Sequence, residues 1–154
     1  MDGRDYHYTT VEKMMKAIEA KEFIEYTQFS GNYYGTSKKA VKDVQDQGKI
    51  CILDVEIEGV KNLKKTDLNP RFVFIRPPGT NNQETLEILR QRLKGRKTES
   101  DEAIEKRLAQ AEEELVYGSV PGNFDIVLYN DDVDQAYEKL RNFILPEVEK
   151  LKSS

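Results

Sequence analysis

The stretch Glu22–Thr36, EFIEYTQFSGNYYGT, decides how this chain is read. It sets an interior carboxylate, Glu25, among Phe23, Tyr26, Phe29, Tyr33 and Tyr34, with glycines at 31 and 35. Aromatic and β-branched runs broken by Ser30-Gly31-Asn32 predict two short strands, Phe23–Phe29 and Asn32–Gly35, joined by a turn. A carboxylate and several phenols carried on short strands suit a small polar ligand held at both ends. A second tyrosine-rich segment, DGRDYHY (Asp2–Tyr8), lies just upstream.

Between these segments, Val11, Met14, Met15 and Ile18 fall at the spacing of one apolar helix face, so Thr9–Lys21 reads as a short amphipathic helix. Thr9 followed by Glu12 fits a capping box. Downstream, Ser37–Gln47 reads as a helix with Val41 and Val44 inward and Gly48 ending it. Three apolar runs follow: ICILDVE (Ile50–Glu56), RFVFIRP (Arg71–Pro77) and FDIVLYN (Phe124–Asn130). Continuous apolar runs predict buried parallel strands, and the helical stretches between them predict an α/β layered domain.

The polar section Thr80–Asn123 separates the second and third runs. It reads as a helix with Leu86, Leu89 and Leu93, a linker Gly95–Asp101 with Thr98 as N-cap, and a helix from Asp101 to Leu115 using Ile104, Leu108 and Leu115. A charged helical excursion between core strands predicts a mobile lid; a static, solvated hairpin is the alternative. A last helix, Asp132–Lys150, turns Val133, Ala136, Leu140, Phe143 and Ile144 inward.

Composition narrows the function classes. The 154 residues carry a net charge of −4, with acids and bases intermixed, which argues against a nucleic-acid-coating protein. No run approaches the ~18 apolar residues that span a membrane, and the N-terminus has no apolar core of a signal peptide. One cysteine and one histidine exclude the usual His/Cys metal site. Cys51, inside an apolar run, reads as a core thiol, and its solitude fits a reducing, cytosolic setting.

Taken in order, DGRDYHY, EFIEYTQFSGNYYGTS, GKICILDVEIEGV, FVFIRPP, RLKGRKTESDEAIEKRL and YNDDVDQAY resemble the guanylate kinases, over nearly the whole chain and in their eukaryotic, single-domain form. The resemblance implies an α/β, P-loop nucleoside monophosphate kinase-like three-layer fold. It also implies phosphoryl transfer from ATP to GMP, giving ADP and GDP, with Mg2+ as cofactor, in a cytosolic monomer. The implied divisions are a GMP-binding part (1–38), a first core part (39–79), a lid (80–123) and a last core part (124–154).

The implied site residues have a chemical rationale. Guanine presents N1–H and N2–H on one edge, and a carboxylate accepts both; adenine offers no such pair. Glu25 matches the family's guanine-reading acid, and Thr36 supplies a hydroxyl for O6 where many relatives have serine. Tyr6 and Tyr34 match the phosphate-binding tyrosines, while Tyr33 reads as packing. Asp54, closing its apolar run, is expected at the carboxyl edge of a sheet, where α/β folds bind ligands; the resemblance implies that it binds GMP there, orienting it or holding a magnesium-bound water, and capping the next helix is the alternative. Arg96 and Arg107 match the lid pair that neutralises the transferring phosphoryl group, a task suited to a planar, permanent cation. Arg92 precedes them and could assist. Asn130 and Asp131 match the adenine-side loop, with Asp131 or Asp132 also suited to capping the last helix.

No G-x-x-x-x-G-K-[ST] occurs in the sequence. Against the family pattern, the first strand, the P-loop and the first helix are therefore expected to be missing, and the fold incomplete. The family's first strand lies between those matching Ile50–Glu56 and Arg71–Pro77. Removing a strand leaves a gap of roughly 10 Å between its neighbours, given a spacing of about 4.8 Å, and bares two backbone edges. The expectation is a chain of low stability and little kinase activity. The competing expectation is a non-catalytic guanylate-kinase-like module that binds GMP or phosphopeptides.

Overall fold

A computed structural model describes residues 6–29, 31–96 and 100–153, which form two compact units, one ending at Pro70 and one starting at Arg71.

The first unit is built around a hairpin. Helix α1 (Val11–Glu19) begins at Thr10, whose hydroxyl accepts from the Lys13 N–H at 3.3 Å. The cap thus falls one residue later than Thr9. The third helical residue is then Lys13 rather than Glu12, so the reciprocal half of a capping box is missing. Only Met14 of the expected apolar face is fully buried, and Val11 is exposed. Strands β1 (Phe23–Phe29) and β2 (Asn32–Ser37) pair antiparallel, and Gly31 takes the positive φ of 80° that the turn needs. The register slips between Phe23 and Glu25, leaving Ile24 as a bulged residue. Ile24 is 1% exposed and forms the centre of this unit's core with Met14, Val41, Val60 and Leu63. Val41 comes from α2 (Lys38–Gln45), capped by Ser37 through the Ala40 N–H. Val60 and Leu63 come from α3 (Ile57–Leu63), which packs on β1.

The second unit pairs β3 (Val73–Arg76) with β4 (Ile126–Tyr129) in parallel, as the two apolar runs predict. Between them run α4 (Asn82–Arg96) and α5 (Asp101–Gly118). These two helices form a hairpin closed by Leu93, Ile104 and Leu108, with Leu86 and Leu89 packed against that cluster. A bidentate Arg90–Glu105 ion pair bridges its surface. The linker expectation at Thr98 lies outside the described residues; Ser100 caps α5 by accepting from the Ala103 N–H. Phe74, Phe124 and Tyr117 join α5 to the sheet through stacked and edge-on rings. Helix α6 (Val133–Ser153) follows Asp132, which accepts from the Gln135 N–H as its cap. Ala136, Leu140, Phe143 and Ile144 are half-buried as expected, but Val133 at the first turn is exposed.

The expected strand over Ile50–Glu56 does not form. Residues 51–56 carry no ladder pairing among the described residues, and burial alternates along them. Cys51, Leu53 and Val55 are half-buried, whereas Ile52, Asp54 and Glu56 are exposed, Ile52 by 76%. An apolar run specifies burial, but a strand also needs neighbouring backbone to accept and donate its hydrogen bonds. Here one side of the run is covered, and the described residues supply no ladder partner. The expected row of three parallel strands is accordingly the β3–β4 pair, and β3 pairs with β4 alone among the described residues.

Candidate functional site

The hairpin places the first group of candidates. Glu25 lies opposite Thr36 and Thr27 opposite Tyr34. Because strand side chains alternate, Glu25, Thr27, Tyr34 and Thr36 share one face, and Tyr33 points to the other. The Thr36 hydroxyl donates to Glu25 Oε1 at 3.4 Å, a long and easily exchanged bond. Tyr6 stands edge-on to Tyr34, with ring centroids 5.6 Å apart. The two expected phosphate tyrosines thus meet at the end of the face that carries Glu25.

Burial pushes the Glu25 carboxyl above its ordinary 4.5. The Thr36 hydrogen bond opposes that shift, and the negative charges of Glu56 and Asp54 add to it. Asp54 therefore lies within electrostatic reach of Glu25, but not at the edge of a sheet as expected. It sits in the unpaired segment before α3, whose N-cap position is Glu56. The sequence reading gave Glu56 no role. The signal was available: residues 54 and 56 of an extended run share a side, so a carboxylate two places after Asp54 faces the same way. The Cys51 thiol is pushed up by burial, which fits a packing residue rather than a nucleophile.

The second unit carries the remaining candidates. Arg96 ends α4 and Arg107 lies on the exposed side of α5, with Arg92 exposed one turn before Arg96. Asn130 and Asp131 follow β4 and are exposed; the Asn130 N–H donates to the Arg76 carbonyl at 2.8 Å, tying that loop to the carboxyl end of β3. Arg76 itself was not singled out from the sequence. It is buried, donates to Thr85 Oγ1 at 2.9 Å and lies over the Tyr129 ring at 5.2 Å. An arginine closing an apolar strand is its only sequence mark.

A family model described as guanylate kinase matches residues 1–147. The chain belongs to the guanylate kinase family. It is 44% identical over 153 residues to guanylate kinase of Sus scrofa, which covers 99% of this chain and 74% of that protein. With guanylate kinase of Homo sapiens it shares 45% identity over 149 residues, 97% of this chain and 73% of that one. Its fold is that of the P-loop nucleoside monophosphate kinases. The crystal structure of guanylate kinase from Anaplasma phagocytophilum superposes with a TM-score of 0.62 at 24% identity, over 96% of this chain and 67% of that one. Membership in the guanylate kinase family makes this a nucleotide-binding chain of the transferase class. Among the described residues no helix is long and apolar enough to cross a membrane.

Proposed function

We propose that this chain recognises GMP through the β1–β2 face and belongs to an enzyme that transfers the terminal phosphoryl group of ATP to it, releasing ADP and GDP. The observation that carries the reading is the Glu25–Thr36 pair. A half-buried carboxylate is set beside a hydroxyl whose present bond is long enough to give up. Glu25 accepts guanine N1–H and N2–H, and Thr36 turns its O–H to O6. An unmatched base would leave the carboxylate desolvated without donors, which makes discrimination steep. Tyr6 and Tyr34 donate phenol O–H groups to the GMP phosphate, adding hydrogen bonds without charge.

Arg96 and Arg107 spread positive charge over the transferring phosphoryl oxygens, where catalysis is chiefly positioning and neutralisation. Asn130 and Asp131 face the adenine side of ATP. In this reading residues 1–38 hold GMP, 80–123 act as lid, and 39–79 and 124–154 form the core. Mg2+ would arrive with ATP and offset phosphate charge. Asp54 is an exposed, hard oxygen donor suited to holding one of its waters.

Nothing in the 154 residues has the glycine and lysine spacing that wraps backbone N–H groups around the ATP β- and γ-phosphates. Calorimetric titration with GMP, AMP and a phosphoserine peptide tests the reading, alongside a steady-state assay with ATP and GMP. GMP binding over AMP supports it. Peptide binding without GMP binding favours the non-catalytic module, and turnover of ATP with GMP supports the kinase reading.

A further inference from the structure

Glu25 is fixed from below by two positions of α3. Glu25 follows the bulged residue Ile24, whose carbonyl accepts from Asn62 Nδ2 at 3.0 Å. A bulge re-aims the side chains beside it and leaves a backbone group outside the ladder. Asn62 satisfies the carbonyl that precedes Glu25 and so fixes the direction in which the strand resumes. One helical turn earlier, on the same side of α3, stands Gly59, which is buried. A Cβ built on Gly59 would lie 2.9 Å from Glu25 Oε2, and equally 2.9 Å from Val55 Cβ. Real Cβ atoms do not approach so closely, so a side chain at 59 would press on Val55 Cβ, which cannot yield, and would displace the flexible Glu25 carboxylate from its place.

We propose that Gly59 is a positioning and specificity-determining residue: its missing side chain forms the slot that seats Glu25 Oε2 against α3 and holds Oε1 beside Thr36. The proposal deepens the GMP reading of this face and rests on it. The slot has a consequence for selectivity. A carboxylate free to swing could meet guanine's two donors in many poses or satisfy itself with water, and discrimination against adenine would fall. Seated on Gly59, with Thr36 on one oxygen and α3 beneath the other, it presents its outer edge in one orientation. The charges of Asp54 and Glu56 face the same group from the preceding segment; a repelled carboxylate without a seat would swing outward.

A ligand-free thermodynamic cycle tests the slot. The proteins are the unaltered chain, Gly59→Ala, Glu25→Asp and the double variant, each followed by thermal unfolding. Shortening residue 25 by one methylene withdraws the carboxylate from the slot. The approach to Val55 Cβ costs the same in both backgrounds, so Gly59→Ala should lower the midpoint in both, and by more beside Glu25 than beside Asp at 25. Equal losses in both backgrounds would assign the glycine to Val55 and overturn the proposal. If Gly59→Ala alone does not fold, the double variant decides: its folding supports the slot, and failure to fold overturns it. Carbon-13 NMR of the Glu25 carboxyl adds a second reading on folded Gly59→Ala. Its titration midpoint should drop toward 4.5 as the group turns to water, and an unchanged midpoint counts against the slot. With GMP, Gly59→Ala should lose affinity by about tenfold and lose preference over AMP. An unaltered chain that binds no GMP would refute the functional reading, while the cycle would still stand or fall by itself.

Discussion

Glu25 and Thr36 face each other across the β1–β2 hairpin, and the Thr36 hydroxyl reaches Glu25 Oε1 at 3.4 Å. Two substitutions separate their contributions to GMP binding. Glu25→Gln keeps shape but replaces one acceptor with an NH2 that confronts a guanine donor. It should cost about 1.5–3 kcal/mol, a loss of roughly 10- to 150-fold in GMP affinity. Thr36→Val removes a neutral hydrogen bond and should cost about 0.5–1.5 kcal/mol, whereas Thr36→Ser should be nearly silent. Calorimetric titration with GMP measures all three. Equal, small effects from Glu25→Gln and Thr36→Ser would count against guanine recognition here.

The Tyr6–Tyr34 pair predicts a different signature. If both phenols serve the phosphate, Tyr34→Phe should weaken GMP by about 1 kcal/mol, roughly fivefold, and leave guanosine unchanged. Tyr6→Phe should do the same, whereas Tyr33→Phe, on the opposite face, should affect neither ligand. Competition binding with GMP and guanosine distinguishes the outcomes, and parallel losses for both ligands would move the tyrosines from phosphate to base.

The hairpin of α4 and α5 should stand on its apolar seam rather than on its surface charges. Ile104 is 2% exposed and Leu108 5%. Truncating either to alanine should cost about 2–5 kcal/mol, by lost transfer energy plus the cavity left behind. Arg90→Ala removes a solvent-exposed bidentate pair with Glu105, and such pairs contribute little net stability. Its unfolding midpoint in urea should barely move. A larger loss from Arg90→Ala than from Ile104→Ala would reverse this ordering.

Thr85 makes a sharper prediction for the second unit. It is fully buried, accepts from Arg76 Nη2 at 2.9 Å and donates to the Asn81 carbonyl at 3.0 Å. Thr85→Val keeps the volume and leaves a buried guanidinium without that acceptor. A cost of about 1–3 kcal/mol is expected, with Thr85→Ser milder. Chemical denaturation of both variants checks it; a neutral Thr85→Val would mean that Arg76 finds another acceptor.

How much of this was legible in the sequence depends on whether a feature is local. The hairpin, the Ser37 helix start, the leucine seam and the parallel runs at Arg71–Pro77 and Phe124–Asn130 all follow from spacing within a few residues, and all formed. The run Ile50–Glu56 read as a strand in the same way, yet it forms none, because pairing depends on what lies beside it in space. Val133 fits its helix face and still lies exposed for the same reason: periodicity gives a face, not its cover. The site followed the same division. Glu25, Thr36 and Tyr34 are brought together by a register that their own strands impose. The closeness of Asp54 and Glu56 to Glu25, and the slot at Gly59, depend on how α3 packs against the bulge at Ile24, which no local pattern encodes.

The raised Glu25 carboxyl gives a pH dependence whose sign can be worked out. Burial is the main cause, opposed by Thr36 and reinforced by Glu56 and Asp54, so the folded value lies above the ordinary 4.5. Between those two values the folded chain holds a proton that the unfolded chain has released. Stability from this group therefore falls as pH rises through that window and stays lower above it. The carboxyls of Glu84 and Glu105, both exposed, and of Glu147, half-buried, act in the opposite sense. Thr80, Arg90 and Arg71 hold them low, so the stability they contribute is present above 4.5 and lost as pH falls through their folded values. Subtracting the Glu25→Gln profile from that of the unaltered chain removes their contribution and leaves Glu25 alone. Guanine needs the ionised carboxylate, so binding in the window must expel its proton. GMP affinity should rise with pH through the window and level off above it, while Glu25→Gln binds weakly and flatly throughout. Calorimetry in buffers of different ionisation enthalpy, between about pH 4.5 and 8, measures both the affinity and the proton released. A GMP affinity independent of pH in the unaltered chain, with no proton release, would remove Glu25 from the base contact.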